Sequence, residues 1–148
     1  MPHVYPLEQV LRLRQQQENQ RKEQLAMAEV LRRERAHGLD ALLDTMEEQM
    51  AVACSPDMLE HRDRYMDYQS QRIEAARQTL QRATESCSLA QAELTAAALE
   101  KKKFERHREL SLQNLERQRL AAEQQVLDEC ATQMFVRTRG GNSENTWQ

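Results

Sequence analysis

Apolar residues along this chain recur at steps of three and four, in two stretches divided by one punctuation mark. In the first stretch Val4, Leu7 and Leu11, then Leu25 and Ala28, then Leu39, Leu42, Met46 and Ala53 keep that spacing. Between them Arg14, Glu18, Arg21, Arg32 and Arg35 occupy the same heptad positions, so charge interrupts the stripe. The second stretch is cleaner. One heptad position reads Met66, Ile73, Leu80, Cys87, Leu94; the other reads Gln69, Ala76, Ala83, Ala90, Ala97, Phe104, and only Gln69 is polar. A 3.5-residue repeat held over that length predicts a helix supercoiled left-handedly with a partner helix.

Ser55-Pro56-Asp57 separates the two stretches. Serine suits an N-cap, proline the first helical position, and an aspartate in the first turn complements the helix dipole. Pro6 suits the entry to the first helix in the same way. The expected elements are helix one over about 7–53, a turn at about 54–56 and helix two over about 56–137, together one coiled-coil domain over 1–137. Gly140-Gly141 and the polar residues around them predict a disordered tail over 138–148. The alanines of helix two favour a close partner and the turn is short, which points to an antiparallel hairpin over a parallel zipper. The expected fold is therefore all-α, a long antiparallel two-helix coiled-coil hairpin with a longer second helix. Helix one would measure roughly 70 Å and helix two roughly 120 Å, with Leu7 opposite about Lys103. The last ~30 residues of helix two, with Leu112, Leu115, Val126, Leu127, Met134 and Phe135, would then await another protein.

Composition decides between coiled coil and disorder only together with that period. Of 148 residues 30% are charged and 4% aromatic, with 3 Gly and 3 Pro, and the mean hydropathy is −0.89. The formal net charge of −3 has both signs interspersed, so neither nucleic acid nor an anionic membrane is strongly attracted. Cys54, Cys87 and Cys130 are odd in number and widely spaced, which suits a reducing cytosol and no disulfide framework. No stretch approaches the ~18 apolar residues of a membrane span. The expected location is cytoplasmic, with no direct membrane insertion.

The chemistry of an enzyme is missing. His3, His37, His61 and His107 lie far apart without a second ligand at helical spacing, and solvated histidines are the better reading. There is no phosphate-binding glycine motif, and Cys87 on the stripe reads as a small buried hydrophobe. The basic run Lys101, Lys102, Lys103, Arg106, Arg108 is interleaved with Glu100, Glu105 and Glu109, a solvated mixed-charge face more than a nucleic-acid contact. No catalytic residue, metal or cofactor is expected. Pairs such as Glu18/Lys22 and Glu60/Arg64 have the order that supports a helix by roughly 0.2–0.5 kcal/mol each. Tyr65 and Tyr68, beside the stripe, are either packing at the seam edge or an exposed contact.

Several segments carry a resemblance. They are Pro6-Leu7-Glu8 opening an Arg/Gln-rich helix, Tyr65-Met66-Asp67-Tyr68-Gln69 running on to Arg72-Ile73-Glu74, and Glu100-Lys101-Lys102-Lys103-Phe104-Glu105. Leu127-Asp128-Glu129-Cys130-Ala131 and a basic Phe135-Val136-Arg137 ending complete the set. With the break near the first third, the chain resembles the bacterial flagellar export protein FliJ family over nearly its whole length. That resemblance implies a component of flagellum biogenesis and motility: a stalk of the flagellar type III export apparatus, similar to the rotor stalk of rotary ATPases. The implied partners are the export ATPase hexamer, the cytoplasmic domain of the export-gate membrane protein, and export chaperones. The implied location is cytoplasmic, peripheral at the inner membrane. Ring contact would fall on Leu11, Arg14, Arg21, Asp128, Glu129 and Arg137. Gate contact would fall on Tyr65, Tyr68, Arg72 and Ile73, although Gln71 and Arg72 stand where relatives tend to carry a large apolar or aromatic residue a few positions after the tyrosine. The rival readings are the equivalent stalk of a virulence type III secretion system and a structural, self-associating coiled coil.

Overall fold

The computed structural model of the chain describes residues 5–144, with side chains through residue 141. All regular structure among them is helical: α1 spans Glu8–Ala51, one 3-10 turn spans Pro56–Met58, and α2 spans Leu59–Glu144. The fold is all-α, a hairpin of two helices in which α2, with 86 residues, is longer than α1, with 44. No proline falls between Leu7 and Ser55 or after Pro56, so nothing in either helix removes a backbone donor. The hydroxyls of Thr45, Thr79, Thr84 and Thr95 each donate to the carbonyl four residues back, which satisfies them inside the helices.

The chain divides into two compact units, one of Gln9–Lys102 and one of the N-terminal residues through Glu8 with those from Lys103 onward. In the first unit α1 and α2 run antiparallel, since Glu18 meets Lys101 and Arg21 meets Glu93 while Arg62 reaches the carbonyl of Met50. Side chains lose solvent at unbroken steps of three and four from Met66 to Lys101 on α2. On α1 the same steps run from Leu11 to Met46, with Arg35 alone exposed. The heptads read from the sequence are thus the packed seam. Its depth is that of a single layer. Leu11, Ile73 and Ala83 are buried, yet no described side chain is completely enclosed, because each seam residue has only one helix facing it.

The turn differs from the expectation in detail. Ser55 has the extended backbone of a cap, but its hydroxyl makes no capping bond; its carbonyl accepts from Met58 N at 3.0 Å. A 3-10 turn therefore precedes α2, which starts at Leu59. The C-terminal end of α1 has no basic residue of its own in the last turn. Arg62 of α2 supplies one, donating from Nη2 to the Met50 carbonyl at 2.8 Å, one of the orphan acceptors at a helix end.

In the second unit Tyr5 lies against His107 and Glu8 pairs with Arg108. The residues on either side of Leu7 thus meet His107 and Arg108, about one helical turn beyond the Lys103 expected opposite it. The helix also runs through Gly140-Gly141 to Glu144, past the Arg137 where the sequence reading ended it. His3, Val4 and the end of the expected tail, 145–148, lie outside the described residues.

Candidate functional site

Tyr65, Tyr68 and Arg72 are spaced so that one face of α2 presents all three close to the turn. Tyr68 is 56% exposed, and the Arg72 guanidinium stands 5.7 Å from its ring centroid, within cation–π range. Tyr65 is partly exposed, and its hydroxyl accepts from Gln69 Nε2 at 2.8 Å. Gln69 itself is buried in the seam, where its Oε1 finds no hydrogen-bond partner. The single polar interruption of the second heptad stripe therefore holds a tyrosine in place. Ile73 is 5% exposed and packs in the seam, so its side chain does not join the tyrosines on the surface.

Next to the turn, Val52, Met58, His61, Arg62, Tyr65 and Met66 line a groove, and Met50, Val52 and Met58 are exposed around it. This apolar patch escaped the sequence reading. Its signal was present as apolar residues on either side of Ser55 that fit neither stripe.

The N-terminal candidates are distributed along α1 in the same unit. Leu11 is buried. Arg14 Nη1 donates to Gln17 Oε1 at 3.1 Å. Arg21 Nη1 donates to Glu93 Oε2 at 2.7 Å and to Gln24 Oε1 at 2.9 Å. Among them lies Glu18, 7% exposed at a seam position, with one oxygen 3.0 Å from Lys101 Nζ and the other 3.1 Å from Lys22 Nζ. The ammonium groups of Lys101, first, and of Lys22 hold its carboxyl below the usual value, Lys101 as an ion pair that leaves Oε2 without a well-aligned hydrogen bond. Glu18 was read only as an interruption of the stripe and as a helix pair with Lys22; its cross-helix partner is a matter of register.

The remaining candidates belong to the second unit. Tyr5 is buried there, its hydroxyl hydrogen-bonded to His107 Nδ1, which gives one of the four histidines a packing role. Glu8 pairs with Arg108 at 3.5 Å. Asp128 accepts from Gln124 at 2.9 Å, Glu129 accepts from Gln125, and Arg137 is exposed. After Leu115 every side chain through Gly141 is exposed, including Val126, Leu127, Met134 and Phe135. In this stretch Arg119 bridges Glu116 and Glu123 one turn to either side. The Arg119 guanidinium lowers the Glu116 carboxyl, and Glu116 in turn raises Arg119. Such pairs support a helix where packing does not.

The described residues hold no grouping of three or more His, Cys, Asp or Glu suited to a metal, and all three cysteines are free thiols. A family model described as Flagellar FliJ protein matches residues 3–140. The chain belongs to the flagellar FliJ family. It is accordingly associated with flagellar export, in a family of non-catalytic export components. No curated protein and no solved structure matches this FliJ-family chain. No helix among its described residues is long and apolar enough to cross a membrane.

Proposed function

We propose that this FliJ-family chain is the stalk of the flagellar type III export apparatus, a cytoplasmic coiled-coil domain that sits in the ring of the export ATPase, promotes ring assembly and links it to the export gate. The observation that carries the reading, beside family membership, is the last part of α2. From Glu116 onward its helix exposes Leu127, Met134 and Phe135 at 62–69%. Exposed apolar side chains at that density on a helix mark a binding surface. Asp128, Glu129 and Arg137 in that stretch, and Leu11, Arg14 and Arg21 on α1, are the residues proposed for the ring. Tyr65, Tyr68 and Arg72 are proposed for the cytoplasmic domain of the gate protein, with Ile73 as the packing beneath them. Export chaperones are a third class of partner in this reading, and the chain has no catalysis of its own.

The test is to mix the chain with the export ATPase of its organism and follow hexamer formation and ATP turnover. A rise in both supports the stalk. No change in either removes it and leaves the structural coiled coil, which predicts a stable parallel dimer in sedimentation.

A further inference from the structure

The seam of the first unit is held by different forces at its two ends. Near the turn, Leu39, Leu42 and Met46 of α1 are half-buried, and the facing stretch of α2 has Ile73 buried with Met66 and Ala76 half-buried, beside the one buried polar residue, Gln69. Among the described residues no ion pair joins the helices across that half. At the other end the α1 seam reads Leu11, Arg14, Glu18, Arg21, and Leu11 alone is apolar. What joins the helices there includes Glu18 with Lys101 and Arg21 with Glu93. An open groove lined by Arg14, Gln17, Arg21, Glu93, Ala97 and Glu100 runs alongside, and the α2 residues that line it are small or charged.

We propose that Leu11–Arg21 of α1 is a charge-held strap on α2, which opens as a unit while the turn-proximal half of the hairpin stays paired. Two arguments support it. A carboxylate buried against a lysine gives up solvation on both sides, so it contributes less than an apolar pair of the same shape. The Arg21–Glu93 pair leaves both side chains about two-fifths exposed, at 42% and 40%, and salt weakens such pairs. The turn-proximal half has no such sensitivity, since burial of Leu39, Leu42 and Ile73 does not depend on screening. Opening bares Leu94 and Ala97 of α2 together with Leu11. This inference does not rest on the stalk reading. It concerns the chain alone, so either can fail without the other.

Hydrogen exchange on the full chain, without partners, tests it. Amide protection is compared at about 0.05 M and about 1 M sodium chloride, where the screening length falls from over 10 Å to about 3 Å. The expected result is that protection across 11–21 drops on the order of tenfold while 39–46 is unchanged. Glu93→Gln, which removes the more exposed ion pair with Arg21, cuts the salt response of 11–21 by more than half. Glu18→Gln, which keeps the shape and removes the charge, shows the lowered protection already at low salt. Equal loss in both segments, no loss in either, or an unchanged salt response in Glu93→Gln overturns the proposal.

Discussion

Glu18 Oε2 lies 3.0 Å from Lys101 Nζ at a seam position of α1, and the same carboxylate reaches Lys22 one turn on. Two ammonium groups on one carboxylate favour its charged form, and its pKa lies below the ordinary 4.5. A carboxyl lowered in the folded state adds stability above its unfolded pKa and loses it as pH falls through the folded one. The native chain should therefore exceed Glu18→Gln in melting temperature by a constant margin at neutral pH. That margin should shrink on acidification, beginning as pH passes below 4.5. Melting curves of both proteins across this range check it; a margin that does not change with pH would be inconsistent with the ionic role.

Arg62 caps the end of α1 from the other arm. Arg62→Ala leaves the Met50 carbonyl to water and removes the cation from the helix end, at an expected cost of about 1 kcal/mol. Arg62→Lys should recover part of it. Chemical denaturation measures both, and equal midpoints for all three proteins would show that the bond contributes nothing.

Gly38 sits inside α1 with ordinary helical backbone, and a Cβ built there meets nothing within 4 Å. Gly38→Ala should stabilise the chain by about 0.5–1 kcal/mol, by restricting the unfolded state without a clash. A lower melting temperature would contradict the open space seen beside it.

Tyr68 and Arg72 stack on each other at the surface. For the proposed gate contact, Tyr68→Ala should weaken binding to the cytoplasmic domain of the export-gate protein by about 2 kcal/mol, the range of an aromatic anchor. Its effect on folding should stay within about 0.5 kcal/mol, as for other exposed substitutions. Calorimetric titration beside a melting curve separates the two. Undiminished affinity would move the gate contact elsewhere.

Leu127 and Phe135 are largely exposed, at 62% and 64%. Leu127→Glu and Phe135→Glu should leave the melting of the free chain unchanged while lowering its stimulation of the ATPase. A fall in stability would instead mean that these side chains are packed in solution.

Helical periodicity is a local property, so the chain's own order of residues determined most of the architecture. Steps of three and four, the lack of proline inside the stretches and Ser55-Pro56 between them were enough for two helices and a turn. The alanines on one heptad position of α2 were enough to favour a hairpin. The packed seam follows those heptads from Leu11 and from Met66. The segments from Tyr65 to Glu74 and from Glu100 to Ala131 carried the resemblance to the family that the match over residues 3–140 shows. Pairing across the helices was not legible in the same way, because a heptad stripe states which face is covered and not which residue stands opposite. Only the tertiary structure decided that Glu18 meets Lys101, that Arg62 closes the end of α1, and that Tyr5 rests on His107. Each depends on where the turn sets the register, and a shift of one helical turn would exchange every partner. The same cause drew attention to a strap held by charge, whereas the burial of Ile73 was already legible in its heptad position.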